Sequence, residues 1–153
     1  MSKVIEARLD ASSKKFAIVA SRWNEHITKL LVEGAQRALR MHGGGEADVI
    51  WVSGSWEIPI AALKTVRADY DAVICVGCIL QGATIHATQL SNNVCSALAD
   101  IMIKCEKPIT WGIITADTQE DALERAGMKL GNKGEEAARA AIEMCDVLNK
   151  VGQ

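Results

Sequence analysis

Four short β-type runs, Phe16 to Ser21 (FAIVAS), Val49 to Ser53, Ala72 to Leu80 and Ile109 to Thr115, are each followed by a longer stretch with helical spacing. That alternation limits this chain to few folds. Strands so apolar need cover on both faces, and short strand-to-helix connections favour a parallel sheet with right-handed crossovers. The expected class is therefore α/β, a three-layer αβα sandwich around a parallel four-stranded sheet. In the first helix Ile27, Leu30, Leu31, Ala35, Ala38 and Leu39 form one apolar stripe, Asn24 is placed to cap the start, and Gly43 to Gly45 end it. Further helices are expected over about Glu57 to Ala68, Thr84 to Lys104, Gln119 to Gly127 and Lys133 to Lys150, with Pro108 restarting the chain as a strand. A short run at Val4 to Arg8 finds no partner in this scheme and is expected to pair, as an extra strand, with another chain.

Composition narrows the functional classes. The 153 residues carry 17 Lys plus Arg against 19 Asp plus Glu, with no linker or repeat, so one ordinary domain over residues 1–153 is expected. A formal charge of −2 gives no general electrostatic reason to bind nucleic acid or anionic lipid, and any anion site must be local. No apolar run approaches the roughly 18–20 residues that cross a bilayer, and MSKVIEARLD lacks the sections of a signal peptide, so a cytoplasmic protein is expected. The five cysteines are an odd number, and Cys75, Cys78, Cys95 and Cys105 lie in apolar stretches that read as sites of buried, reduced thiols. Cys75 and Cys78 form a CxxC, but inside a strand residues three apart point to opposite faces, so neither zinc nor redox chemistry is expected of them.

In such sheets ligands sit beyond the carboxyl ends of the strands, so the connections there hold the candidate residues. After the first run comes SRWN, where Trp23 either packs beside a helix start or offers its ring to a flat heterocycle. After the second comes VSGSWEIP, where Trp56 adds another ring and Glu57 either caps its helix or accepts hydrogen bonds from ligand hydroxyls. The third ends in GCILQGATIH: small Gly82 and Ala83 lead to Thr84, read as a helix start whose unpaired N–H groups suit a phosphate. His86 falls in the first helical turn. Imidazole is the usual proton carrier of carbonyl and imine chemistry, although a surface or capping histidine is the plainer alternative. Further on, ERAGMKLGNKGEE gathers Arg125, Lys129 and Lys133 around glycines, where they either satisfy a helix C-terminus or, facing another chain's cleft, clamp a phosphate.

Taken together, RWN, EGA at Glu33 to Ala35, GSWEIP, YDAVICVGCILQGATIH, KPITWGIITADT, ERAG, GNKG and AIEM stand in the order and spacing of one family. The chain resembles the 6,7-dimethyl-8-ribityllumazine synthases of riboflavin biosynthesis. The resemblance implies a flavodoxin-like sheet, assembly at least into pentamers and active sites between neighbouring subunits. It also implies the condensation of a ribitylaminopyrimidinedione with 3,4-dihydroxy-2-butanone 4-phosphate, without metal or organic cofactor. By the same resemblance Trp23 and Asn24 of the RWN block, Ser55, Trp56 and Glu57 hold the pyrimidine ring and ribityl chain, with backbone contacts from Ile79 and Leu80. Gly82, Ala83 and Thr84 match the phosphate end, and His86 the general acid and base. Arg125 and Lys133 match cationic groups from or near the adjacent subunit, and Trp111 the neighbour's stacking aromatic. The uninterrupted GMKLGNKG connection resembles that of members forming closed shells of pentamers.

The chain departs from the family at Ser53, usually Pro, at Gln81, usually Arg, and at Ala87 and Thr88, usually an aromatic and an acid. Gln89 replaces another aromatic and Asn93 a Glu. The departures keep a second reading open, a shell- or ring-forming subunit with little catalysis, and a third, a flavin-binding module. A receiver-like domain is the weakest alternative, since fold alone says little about chemistry.

Overall fold

The computed structural model describes residues 2–153. The chain runs β1 (Phe16–Ser21), α1 (Glu25–Met41), β2 (Asp48–Val52), a 3-10 turn (Ser55–Glu57), α2 (Ile58–Val66), β3 (Ala72–Leu80), α3 (His86–Cys105), β4 (Ile109–Ala116), α4 (Gln119–Glu124), β5 (Ala126–Met128), β6 (Gly131–Asn132) and α5 (Lys133–Val151). The main sheet has the order β2-β1-β3-β4 and every pairing in it is parallel. The expected α/β sandwich is what forms.

The two faces of β3 show why. Ile74, Val76 and Cys78 pack with Leu31, Ala35 and Ile142 of α1 and α5, whereas Val73, Cys75 and Ile79 pack with Ile58, Val94 and Leu98 of α2 and α3. Every β3 residue but the last is buried, which explains a strand without polar alternation. It also places the two thiols of the CxxC in separate cores, where burial pushes Cys75 up to about 12 and Cys78 up to about 11.

Order 2-1-3-4 makes the chain reverse direction across the sheet between β1 and β3. At such a switch point the two connections leave in opposite directions and open a crevice at the carboxyl ends. That crevice lies beside Trp23 and the segment from Gly82 to His86.

Several local expectations are corrected. Asn24 stands at the start of α1 but does not cap it: its backbone is left-handed (φ 61, ψ 43) and its side chain makes no cap hydrogen bond. Thr84 does not start α3, which begins at His86 after an uncapped Ile85. The helix expected to reach Gly127 stops at Glu124, because Gly127 has φ +119 and the chain turns back as the β5–β6 hairpin. Cys95 is exposed and Cys105 half-buried, since α3 buries only a narrow stripe at Ala87, Val94 and Leu98.

Among the described residues the run at Val4 to Arg8 forms no strand and joins neither sheet. It lies along α5 instead: the Arg8 N–H donates to Asp146 Oδ2 at 2.7 Å and Lys150 Nζ donates to the Glu6 carbonyl at 2.9 Å. The Lys150 side chain, first, and then the Arg8 N–H hold the Asp146 carboxyl below the usual carboxylate range. A carboxyl lowered by folding contributes fully above its unfolded pKa and loses that contribution as pH falls through the folded one. Hydrogen exchange of the N-terminal peptide, corrected for intrinsic rate, is therefore expected to lose protection below about pH 4. Equal protection on both sides of that pH would show that Asp146 does not hold the segment.

Candidate active site

A cleft of about 400 Å³, the main one only in that it gathers most of the candidate residues, opens at the carboxyl ends of β1, β2 and β3. Trp23, Ser55, Trp56, Glu57, Ile79, Leu80, Gly82, Thr84 and His86 all line it, although they come from three separate strand ends and the segments that follow them. The sheet brings them together by ending its strands side by side.

One end of the cleft suits a flat ring bearing hydroxyl groups. Trp23 is 73% and Trp56 68% exposed, a costly presentation of indole surface to water unless a ligand covers it. Ser55 is buried at the wall. Glu57 stands at the start of α2, yet its side chain makes no cap hydrogen bond, so the capping role is not the one it fills. Its carboxylate instead faces the cleft beside Gly54, whose missing side chain leaves Glu57 Oε1 3.7 Å from where a Cβ would stand.

The other end suits an anion. The first helical hydrogen bond of α3 runs from the Gln89 N–H to the Ile85 carbonyl at 3.1 Å. The N–H groups of His86, Ala87 and Thr88 therefore lack helical acceptors and carry the positive end of the helix dipole. Gly82, Ala83, Thr84 and His86 are exposed around this terminus. Thr84 thus flanks the α3 terminus from the preceding turn rather than from the helix itself.

Besides Gly54 and Ala87, sequence reasoning gave no site role to two lining residues, Cys78 and Leu90. Both were within reach of periodicity, since Cys78 shares a strand face with Leu80 and Leu90 stands one turn beyond His86. Ala87, one of the departures, is buried under the cleft, and Thr88 Oγ1 lies 3.4 Å from Gln81 Oε1. Two departures therefore meet each other across the α3 entrance. Asn24 and Ala83 lie next to lining residues, and the Asn24 amide is engaged elsewhere: Nδ2 donates to the Cys78 carbonyl at 2.9 Å.

Trp111, Arg125 and Lys133 do not reach this cleft. They line a second one, about 420 Å³, between the edge strand β4 and α5. There Arg125 Nη1 donates to the Asp121 carbonyl at 2.8 Å and Lys133 Nζ pairs with Glu136 at 2.9 Å. Arg125 thus satisfies its own helix end while keeping further guanidinium N–H groups for another acceptor. The Trp111 ring is 37% exposed on this edge. Within one chain, then, the Trp23 and Trp56 rings, the Glu57 carboxylate and the His86 imidazole share one cleft, and Trp111 and the cations share another.

Comparison with known proteins agrees with the geometry. Residues 13–149 match the family described as 6,7-dimethyl-8-ribityllumazine synthase. A relative named 6,7-dimethyl-8-ribityllumazine synthase, from Aquifex aeolicus (strain VF5), is 47% identical over 152 residues, covering 97% of this chain and 99% of the relative. With the match spanning both the sheet and the two clefts, the chain belongs to the 6,7-dimethyl-8-ribityllumazine synthase family.

Proposed function

We propose that this protein is a transferase of riboflavin biosynthesis that condenses 5-amino-6-(D-ribitylamino)uracil with 3,4-dihydroxy-2-butanone 4-phosphate. The products are 6,7-dimethyl-8-ribityllumazine, phosphate and water. The observation that carries this reading is the main cleft itself, with exposed indoles and an uncapped carboxylate at one end and a bare helix N-terminus with an imidazole at the other.

In this reading Trp23 stacks on the pyrimidinedione, Trp56 closes the wall beside it, and Ser55 and Glu57 take hydrogen bonds from the ribityl chain. Backbone groups of Ile79 and Leu80 hold the ring edge. The 5-amino group attacks the ketone, water leaves, and an imine forms. His86 moves the protons of these steps and takes one from the carbon next to the imine as the phosphate departs. Gly82, Ala83, Thr84 and the α3 terminus stabilise the charge on the leaving group. The enol left behind takes a proton on its terminal carbon and becomes a ketone, on which the ribityl-bearing nitrogen closes the second ring with loss of another water. Every step is a proton transfer, an addition at carbonyl carbon or an elimination, so no metal or organic cofactor is assigned.

The cations of the second cleft complete the site from a neighbouring chain. Docking the β4 edge of one subunit beside the main cleft of the next would bring Trp111, Arg125 and Lys133 to the phosphate end. Repeated head-to-tail, such a contact closes a ring. We assign a ring of five and a closed shell of such rings, supported by the tight β5–β6 hairpin in the GMKLGNKG connection; the N-terminal segment, whose Glu6 carbonyl and Arg8 N–H engage α5, offers its opposite edge as a strand to the neighbour. The five free thiols fit the reducing cytoplasm.

Mixing the two substrates with purified protein and following the lumazine absorbance tests the reaction. Product should appear in proportion to enzyme. A correctly assembled protein that forms none at saturating substrate would remove the catalytic reading and leave a scaffold.

A further inference from the structure

We propose that Asn24 is a positioning residue: its side-chain amide ties the Trp23 loop to the end of β3 and so aims the Trp23 ring at the pyrimidine. The inference rests on the function proposed above and gives Asn24 a role there other than contact with the substrate.

The Trp23 ring is 73% exposed, so little side-chain packing fixes its direction, and the backbone that carries it must do so. That backbone is anchored on two sides. Toward β2, the Arg22 N–H donates to the Val52 carbonyl at 2.8 Å and the Trp23 N–H to the Ser53 carbonyl at 3.0 Å. Toward β3, the β1–β3 ladder ends at Ala20 opposite Val76, and the Cys78 carbonyl beyond it takes the Asn24 amide at 2.9 Å. The side chain therefore continues a ladder that the backbone has left. Because a carbonyl can only accept, the amide nitrogen must face it, which leaves an isosteric carboxylate unable to replace it.

The backbone of Asn24 points the same way. Its left-handed conformation is costly for most L-residues but tolerated by asparagine and free for glycine. It turns the chain sharply out of β1, and its own carbonyl accepts the Ile27 and Thr28 N–H groups that open α1. An asparagine here would ordinarily cap the helix; this one spends its side chain on β3 instead. The Cys78 carbonyl it holds directly precedes Ile79 and Leu80, which line the same cleft. One side chain thus sets the indole and the ring-edge wall relative to each other.

Two variants separate the amide from the backbone. Asn24→Gly keeps the left-handed turn without the amide, and Asn24→Asp keeps the shape without the donor. Both are expected to raise KM for the pyrimidine about tenfold, the size of one lost hydrogen bond, while kcat and KM for the butanone phosphate change less than about twofold. In a Trp23→Ala background the same substitutions should change the pyrimidine KM less than about twofold, because a residue acting through another is not additive with it. Additive effects, or an Asn24→Gly enzyme with the parent's pyrimidine KM, would overturn the proposal. Calorimetric titration with 6,7-dimethyl-8-ribityllumazine runs the same cycle without turnover. Coupled binding in a parent protein that makes no product would keep the positioning role and sink the enzymatic reading. Turnover without coupling would do the reverse.

Discussion

Replacing His86 with alanine is expected to slow lumazine formation by about 10²–10⁴-fold, the range that a positioned proton carrier contributes. Pyrimidine affinity should change far less, since the rings of Trp23 and Trp56 and the Glu57 carboxylate stay in place. His86 is the first residue of α3 and is exposed where it lines the cleft, and the proposed reaction uses its imidazole to carry protons at the imine and at the neighbouring carbon. A parent-like rate in His86→Ala, measured by lumazine absorbance in single-turnover and steady-state runs, would exclude the proton-transfer role.

The same variant reports on the shared site. Arg125 lines the other cleft, so Arg125→Ala is expected to weaken use of the butanone phosphate through a different subunit's surface. Co-expressing His86→Ala and Arg125→Ala chains in equal amounts should restore about a quarter of the sites, those where an intact imidazole meets an intact guanidinium across an interface. Activity no higher than the sum of the separate variants would place both residues' effects within single chains and remove the intersubunit arrangement.

The second large effect is on stability. Gly134→Ala is expected to cost about 3 kcal/mol or more, although alanine ordinarily gains about 1 kcal/mol over glycine inside a helix. A Cβ on Gly134 would stand 2.0 Å from the Leu31 carbonyl oxygen and 2.7 Å from its carbon, both backbone atoms of α1 that cannot rotate away. The crossing is tight from the other side as well, because a Cβ on Gly34 would meet the Asn132 side chain at 2.2 Å. Asn132 Oδ1 caps α5 through the Gly134 and Glu135 N–H groups, and its Nδ2 donates to the Leu30 carbonyl at 3.0 Å. The clash thus strikes the contact between α1 and α5 and the cap that starts α5 together. Gly45→Ala, where a Cβ would meet nothing within 4 Å, is the control and should stay within about 0.5 kcal/mol of the parent. Urea denaturation at one fixed protein concentration measures both, and a Gly134→Ala midpoint equal to the parent's would refute the packing account.

How far the site was legible depends on the range of the contacts that build it. Trp23, Glu57 and His86 each follow an apolar run, and the rule that ligands gather at carboxyl ends of parallel strands was enough to select them. Leu90 and Cys78 needed the helical and strand periods carried one step further. The β5–β6 hairpin was hidden because ERAGMKLGNKG carries helix-forming residues on both sides of its turn, and only the positive φ at Gly127 and Gly131 breaks the pattern. Cys95 misled for a similar reason: an apolar neighbourhood in sequence says little when a helix buries only one narrow stripe.

Local periodicity and composition by themselves determined the strand and helix alternation, the parallel sheet with two covered faces, and the separation of Cys75 from Cys78 onto opposite faces. These follow from side-chain spacing, which every short segment carries. The tertiary structure alone decided that the cations sit in a different cleft from the imidazole, and that Asn24 spends its amide on a carbonyl 54 residues away rather than on its own helix. Such choices depend on which strand ends lie side by side, and a hydrogen-bond donor takes whichever acceptor the assembled sheet leaves unpaired.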